Sequence, residues 1–113
     1  DKGGNAVQVE WFGKGTNLHA VWDTKMIENW NMSYLELANS AKNLSKEQIK
    51  AIEEGTLVTW VDEIHELTKK IYKSVEEDAN LRYRYSYDHF DIVRDQLQIG
   101  GIRLAKILND IFA

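Results

Sequence analysis

The stretch of residues 56–73 reads TLVTWVDEIHELTKKIYK and carries the clearest structural pattern in the chain. Its apolar side chains recur at steps of four, three and four, which places them on one face of an α-helix. These side chains are Trp60, Ile64, Leu67 and Ile71. Charged residues fill the opposite face, and Thr56 is suited to cap the first turn. The pattern predicts a long amphipathic helix and favours a mainly α-helical fold.

Helical spacing returns near the C-terminal end and predicts a second long helix there. It runs through Phe90, Val93, Leu97, Gly101, Leu104, Leu108 and Ile111. Each glycine of the pair Gly100–Gly101 should cost this helix about 1 kcal/mol relative to alanine. Close approach of another helix would explain the pair, and a break into two helices is the alternative.

Irregular sequence separates the two helical patterns at residues 80–87. It contains Arg82-Tyr83-Arg84-Tyr85, which alternates cations with aromatic rings. Such a stretch could stack bases and neutralise phosphates. Alternatively, the tyrosines pack under a loop and the arginines pair with carboxylates.

Shorter elements are predicted upstream. Residues 6–12 are predicted as a strand, because Val7, Val9 and Trp11 fall on one side and Gln8 and Glu10 on the other, and Gly13-Lys14-Gly15 turns the chain. Thr16 or Asn17 can cap a helix that runs through Asp23. Another helix is predicted from Ser33 to about Lys42, and Ser45 with Gln48 forms a capping-box signature for the next.

Composition sets limits on function. The 113 residues are 43% hydrophobic, carry a formal net charge of −4 and include no cysteine. The absence of cysteine excludes disulfides and thiolate metal sites, and no apolar run is long enough to cross a bilayer, so no membrane partner is expected. An acidic chain is not expected to bind nucleic acid through a broad basic surface, but bound divalent cations could supply positive charge locally.

His19 and Asp23 form the arrangement with the clearest chemical meaning. Four positions apart on a predicted helix, their side chains share one face with β-carbons about 5–6 Å apart. Zinc accepts imidazole nitrogen and carboxylate oxygen at about 2.0–2.2 Å, so the pair could bind one ion. A hydrogen-bonded pair on the surface is the alternative that the spacing leaves open.

The surrounding sequence resembles the nuclease S-one/P-one (S1/P1) family, the mung bean nuclease type. The specific part is the interval from Gly3-Gly4-Asn5 to Asn17-Leu18-His19-Ala20-Val21-Trp22-Asp23. Weaker similarity continues through Trp60-Val61-Asp62-Glu63 and Tyr72, then through residues 96–105 and Leu108-Asn109. The resemblance spans essentially the whole chain and corresponds to the C-terminal part of one zinc-nuclease domain, so the upstream part is expected to be absent.

The resemblance implies a helical fold like that of zinc phospholipase C, with a small strand or hairpin near the N-terminus. It also implies a cluster of three zinc ions that hydrolyses single-stranded DNA and RNA to 5′-phosphates, with 3′-nucleotidase activity. His19 and Asp23 would be two protein ligands of one zinc, and the other ligands would lie upstream of Asp1. This chain alone is therefore expected to be inactive, and the complete protein is expected to be secreted or periplasmic.

Five further residues are candidates for contact with substrate. Lys2 could meet a phosphate, whereas fungal members carry an apolar residue at that position, and a solvated lysine is the alternative. Gly3 and Gly4 are expected to allow unusual backbone angles or close approach to the cleft, and Asn5 to fix the loop by hydrogen bonding. Lys25 is near enough to the predicted metal to contact substrate, although an exposed helix lysine is the default.

Other residues and functions remain as alternatives. His65 and His89 lack a ligand pattern and are expected to be structural or surface residues. A zinc phospholipase C is the nearest competing function, although that family generally carries glutamate where Asp23 stands. A non-catalytic helical interaction module, with the two apolar faces as partner surfaces, is the competing hypothesis of a different class.

Overall fold

A computed structural model of the chain describes residues 2–113, of which most are helical. A short 3-10 turn, Lys2–Gly4, comes first. The strands are β1 (Gln8–Trp11), β2 (Lys14–Asn17) and β3 (Asn80–Leu81). The helices are α1 (Leu18–Ala20), a π-helical turn (Val21–Lys25), α2 (Met26–Trp30), α3 (Tyr34–Asn39), α4 (Lys46–Glu53), α5 (Leu57–Lys73) and α6 (Tyr83–Phe112). The predicted mainly helical class is confirmed.

The strands form one sheet in the order β2-β1-β3. β1 and β2 pair antiparallel as a hairpin, with Val9 opposite Thr16. β3 joins the other edge in parallel, with Glu10 opposite Asn80. Beyond the paired residues, the Phe12 amide donates to the Leu81 carbonyl at 2.9 Å. The sheet therefore connects the front of the chain to the segment just before α6.

The segment 18–30 is one composite helix, made of α1, the π turn and α2. Asn17 caps it, because its side-chain oxygen accepts a hydrogen bond from the Ala20 amide at 2.8 Å, as the sequence predicts for Thr16 or Asn17. The amide of Met26 donates to the Val21 carbonyl five positions earlier, which closes the π turn. Val21 and Met26 are both fully buried and attach this helix to the core.

Capping residues fix the starts of the next three helices. Ser33, Ser45 and Thr56 each accept from an amide three positions later, and each belongs to a reciprocal capping box. The predicted caps at Ser45 and Thr56 are confirmed. α3 ends at Asn39, earlier than the predicted end near Lys42.

The core lies between the sheet, the composite helix and the first half of α6. Its buried residues are Val9, Val21, Met26, Leu81, Tyr85, Phe90 and Val93. On α5, by contrast, Trp60 is buried while Ile64 is 50% exposed. The predicted apolar face of α5 is thus only partly covered by the residues that the structure describes.

The start of α6 and its course through the glycine pair both differ from the predictions. It begins at Tyr83, so most of the segment predicted as irregular is its first turn. It also continues unbroken through Gly100–Gly101, and a β-carbon at either glycine would meet nothing within 4 Å among the described residues. The prediction that another helix approaches closely at this pair is therefore wrong for the described part of the chain, as is the alternative of a break.

The arginine and tyrosine side chains at the start of α6 differ in burial and in their contacts. Tyr85 is buried, whereas Tyr83 is 73% exposed and its ring lies edge-on to Phe12 at 4.7 Å. Arg84 pairs with Asp88 at 2.9 Å. The burial of Tyr85 shows that this tyrosine packs in the core and is not available to stack on bases.

None of the described helices is both long enough and apolar enough to cross a membrane.

Candidate metal site

His19 and Asp23 line the same pocket. It lies between the 3-10 turn, the composite helix and the second half of α5, and it has a volume of about 250 Å³. Its lining residues are Gly3, Leu18, His19, Trp22, Asp23, Thr68, Ile71 and Tyr72. The structure thus brings together an imidazole and a carboxylate that the sequence places four positions apart. Whether they bind a metal stays a prediction.

A backbone carbonyl orients the His19 imidazole. The Nδ1 atom of His19 lies 2.9 Å from the Gly3 carbonyl oxygen. Because a carbonyl only accepts hydrogen bonds, Nδ1 must carry a proton in this contact, and in the neutral ring Nε2 is then left with a lone pair. Histidines that bind metals are usually held in this way, with the non-ligating nitrogen donating to a carbonyl or carboxylate.

Asp23 is the second candidate ligand. It lies in the π turn and is exposed. Its carboxylate has no hydrogen bond or ion pair with any residue of the described range 2–113. A π turn inside an α-helix is frequently found at functional sites. The carboxylate is therefore available to accept a cation at the same pocket as His19.

The donor set fits part of a zinc site. Imidazole nitrogen and carboxylate oxygen are both zinc ligands, and zinc is usually four-coordinate. Residues 2–113, however, contain no group of three or more histidine, cysteine, aspartate or glutamate residues placed to hold an ion. His19 and Asp23 could therefore supply only part of a coordination shell.

The glycines and Asn5 lie beside His19, in the loop that precedes the sheet. Gly3 and Gly4 have φ of +68° and +91°, so the predicted unusual backbone angles are confirmed. Asn5 is exposed, and its carbonyl accepts from the Gln8 side chain at 3.3 Å. The side chain of Lys2 lies outside the described part of the structure. Lys25 is half-buried at the end of the π turn and does not line the pocket.

Trp22 forms one wall of the pocket, and the hydrogen bond that fixes its side chain could not be predicted from the sequence. The Trp22 indole N–H donates to the Tyr85 hydroxyl at 2.9 Å. The Tyr85 hydroxyl also lies 3.1 Å from Ser74 Oγ, and His89 stacks on the Tyr85 ring. His89 is thus structural, and His65 is exposed on α5, which agrees with both predictions. The contacts of Trp22 and Tyr85 connect the pocket to α6.

We expect Tyr85→Phe to destabilise the protein and to reduce the pH dependence of its stability. The change leaves the Trp22 N–H without its partner, at a cost of about 1–3 kcal/mol. Burial raises the pKa of Tyr85, and its hydrogen bonds with Ser74 and Trp22 partly oppose that rise. Folded Tyr85 therefore keeps its proton at a pH where unfolded tyrosine, with a pKa of about 10, has lost it.

The stability linked to Tyr85 is complete below that ordinary pKa and is lost as pH rises through the folded-state pKa. Urea unfolding at a series of pH values from neutral upward would measure it. The exposed Tyr83→Phe is the matched control and should leave both stability and its pH dependence nearly unchanged. Equal curves for the two variants would contradict the role assigned to Tyr85.

Beside the pocket lies a larger apolar groove between the composite helix, α5 and α6. Its volume is about 440 Å³, and it shares Trp22, Asp23 and Ile71 with the pocket. The remaining lining residues are mainly aliphatic side chains of α5 and α6. Asp23 thus lies where the pocket meets the apolar groove.

Comparison with known proteins identifies relatives for the whole chain. The family described as S1/P1 Nuclease matches residues 1–113. Endonuclease 2 of Arabidopsis thaliana is 32% identical over 133 residues, which cover 99% of this chain and 44% of the plant protein. Endonuclease 4 of the same plant is 31% identical over 135 residues, covering 100% of this chain and 43% of that protein. The chain spans less than half the length of these curated relatives.

Proposed function

Because the chain belongs to the S1/P1 Nuclease family, we propose that it forms part of a zinc-dependent phosphodiesterase. The proposed enzyme hydrolyses single-stranded DNA and RNA to 5′-phosphorylated products and has 3′-nucleotidase activity. One observation carries the zinc assignment. His19 is oriented by the Gly3 carbonyl, and it shares a pocket with the Asp23 carboxylate, which is unpaired among residues 2–113.

In the proposed site, His19 Nε2 and a carboxylate oxygen of Asp23 would be two of the ligands of a zinc ion. Further ligands come from parts of the protein that precede this sequence. A zinc ion bound there would stabilise the negative charge that develops on the departing 3′-oxygen of the phosphodiester. It would also supply the positive charge that a chain with a net charge of −4 does not offer broadly.

The residues of this chain prepare the pocket for that chemistry. The Gly3 carbonyl holds the imidazole in one orientation. Metal binding therefore loses little side-chain conformational entropy at His19. Trp22, fixed by Tyr85, forms an apolar wall next to Asp23. Such a wall limits water access and strengthens the electrostatic interactions of the bound phosphate. By resemblance, the intact protein is secreted or periplasmic.

The test is an assay of the intact protein on single-stranded DNA, double-stranded DNA and phosphatidylcholine, before and after treatment with a chelator. We expect preferential cleavage of the single strand with 5′-phosphate products, since the proposed chemistry cleaves the bond to the 3′-oxygen. Chelation should abolish cleavage, and added Zn²⁺ but not Mg²⁺ should restore it. Cleavage that survives complete metal removal would overturn the zinc assignment, and cleavage of lipid alone would favour a phospholipase C.

A further inference from the structure

The Gly3–Gly4 turn lies against the backbone and the ring of His19. Gly4 is buried, and a β-carbon at this position would lie only 3.0 Å from the His19 backbone nitrogen and 3.4 Å from Leu18 Cβ. A β-carbon at Gly3 would lie 3.4 Å from His19 Nδ1. The two glycines thus allow one backbone turn to approach both the backbone and the ring of His19.

That close contact makes the hydrogen bond from His19 to Gly3 possible. The Gly3 carbonyl reaches Nδ1 across 16 positions of sequence, which requires the loop to pass directly over the start of the composite helix. The left-handed backbone at both glycines produces this path, and residues with a β-carbon rarely adopt it. If the turn moved outward, the carbonyl would lose Nδ1, and the ring would be free to rotate or to change tautomer.

We propose that Gly3 and Gly4 are positioning residues for His19. Gly4 brings the turn against the helix, and the Gly3 carbonyl fixes the proton on Nδ1, which leaves Nε2 of the neutral ring able to accept a metal. The part of this inference that concerns metal affinity rests on the proposed function. The part that concerns the tautomer and orientation of His19 applies to the metal-free protein as well.

The chain provides a graded set of variants. Gly13 also has positive φ, at +80°, but a β-carbon there would meet nothing within 4 Å. Gly13→Ala therefore introduces backbone strain without a collision near His19. Gly3→Ala adds an ordinary van der Waals contact with Nδ1 of the ring, and Gly4→Ala adds a tighter contact, 3.0 Å from the His19 backbone nitrogen. The effect on His19 should rise in the order Gly13→Ala, Gly3→Ala, Gly4→Ala.

Two measurements on the intact protein test this order. Nitrogen NMR of the histidine ring, assigned with a His19→Gln variant, reports the tautomer without metal. We expect a protonated Nδ1 in the wild type and in Gly13→Ala, and a mixture of tautomers in Gly4→Ala. Competition with a chromophoric chelator reports zinc affinity. We expect Gly4→Ala to weaken it by about 10–100-fold, the range found when partners of metal-binding histidines are removed.

The outcomes separate the two proposals. If the wild type binds no zinc, the proposed function fails, while the ring NMR still decides the role of the glycines. If Gly4→Ala retains the wild-type tautomer and zinc affinity, or loses no more than Gly13→Ala does, the positioning role is overturned. Should Gly4→Ala fail to fold, the comparison of Gly3→Ala with Gly13→Ala decides in the same way.

Discussion

Replacement of His19 or Asp23 by alanine in the intact protein is expected to remove zinc and nuclease activity together. Each change deletes one of the two proposed zinc ligands, both of which line the pocket. Loss of a single preorganised group that stabilises developing charge typically lowers kcat by about 10²–10³-fold, and loss of the ion itself should cost at least as much. Metal analysis of the purified variants and kcat/KM on single-stranded DNA would measure the two effects.

The control for His19 is His65→Ala. His65 is exposed on α5 and does not line the pocket, so its removal should change neither zinc content nor activity. Asp23→Asn keeps the size of the side chain but removes its charge, and should resemble Asp23→Ala in zinc content. Variants of His19 and Asp23 that keep full zinc stoichiometry would refute the assignment of these residues as ligands.

The largest loss of stability is expected for Phe90→Ala. Phe90 is 2% exposed, and its ring stacks on Trp30 with centroids 4.7 Å apart. Truncation of a buried phenylalanine removes its transfer free energy and leaves a cavity, which together cost about 3–5 kcal/mol. The free energy of unfolding, from urea denaturation followed by tryptophan fluorescence, would show the loss.

Tyr87→Ala is the matched control, because it removes another aromatic ring less than one turn away on α6. Tyr87 is 74% exposed, so its truncation should change the unfolding free energy by no more than about 0.5 kcal/mol. Similar losses for both variants would show that the first half of α6 does not pack into the core as described.

Helix starts could be predicted from sequence because the capping residues act locally. Ser45 and Thr56 each satisfy amides within their own first turn, and that signal is complete within four residues. The start of α6 could not be predicted in this way. Its N-cap, Arg82, makes no side-chain cap, and the polar Ser86 lies buried on its inner face. β3 was missed because two residues carry no periodicity.

The site was predictable only in part, for the same physical reason. The shared face of His19 and Asp23 follows from their spacing on one helix. The hydrogen bond from His19 to Gly3, and the contact between Trp22 and Tyr85, join positions that are 16 and 63 residues apart. Such contacts depend on how the elements pack, and no local pattern in the sequence reports them.

The parallel pairing of β1 with β3 has a consequence for the order of folding. The Gly13 amide donates a hydrogen bond to the Asn80 side chain, 67 positions further along the chain. Closing so long a loop lowers the conformational entropy of the chain before the stabilising contacts can form, so such pairings form slowly. The hairpin and the capped helices can form during synthesis, but the sheet edge that connects the front of the chain to α6 must wait for residues 78–81 to emerge from the ribosome. Tyr85, which holds the Trp22 side of the pocket, follows β3 in the chain, so we expect that side of the pocket to be fixed late in folding.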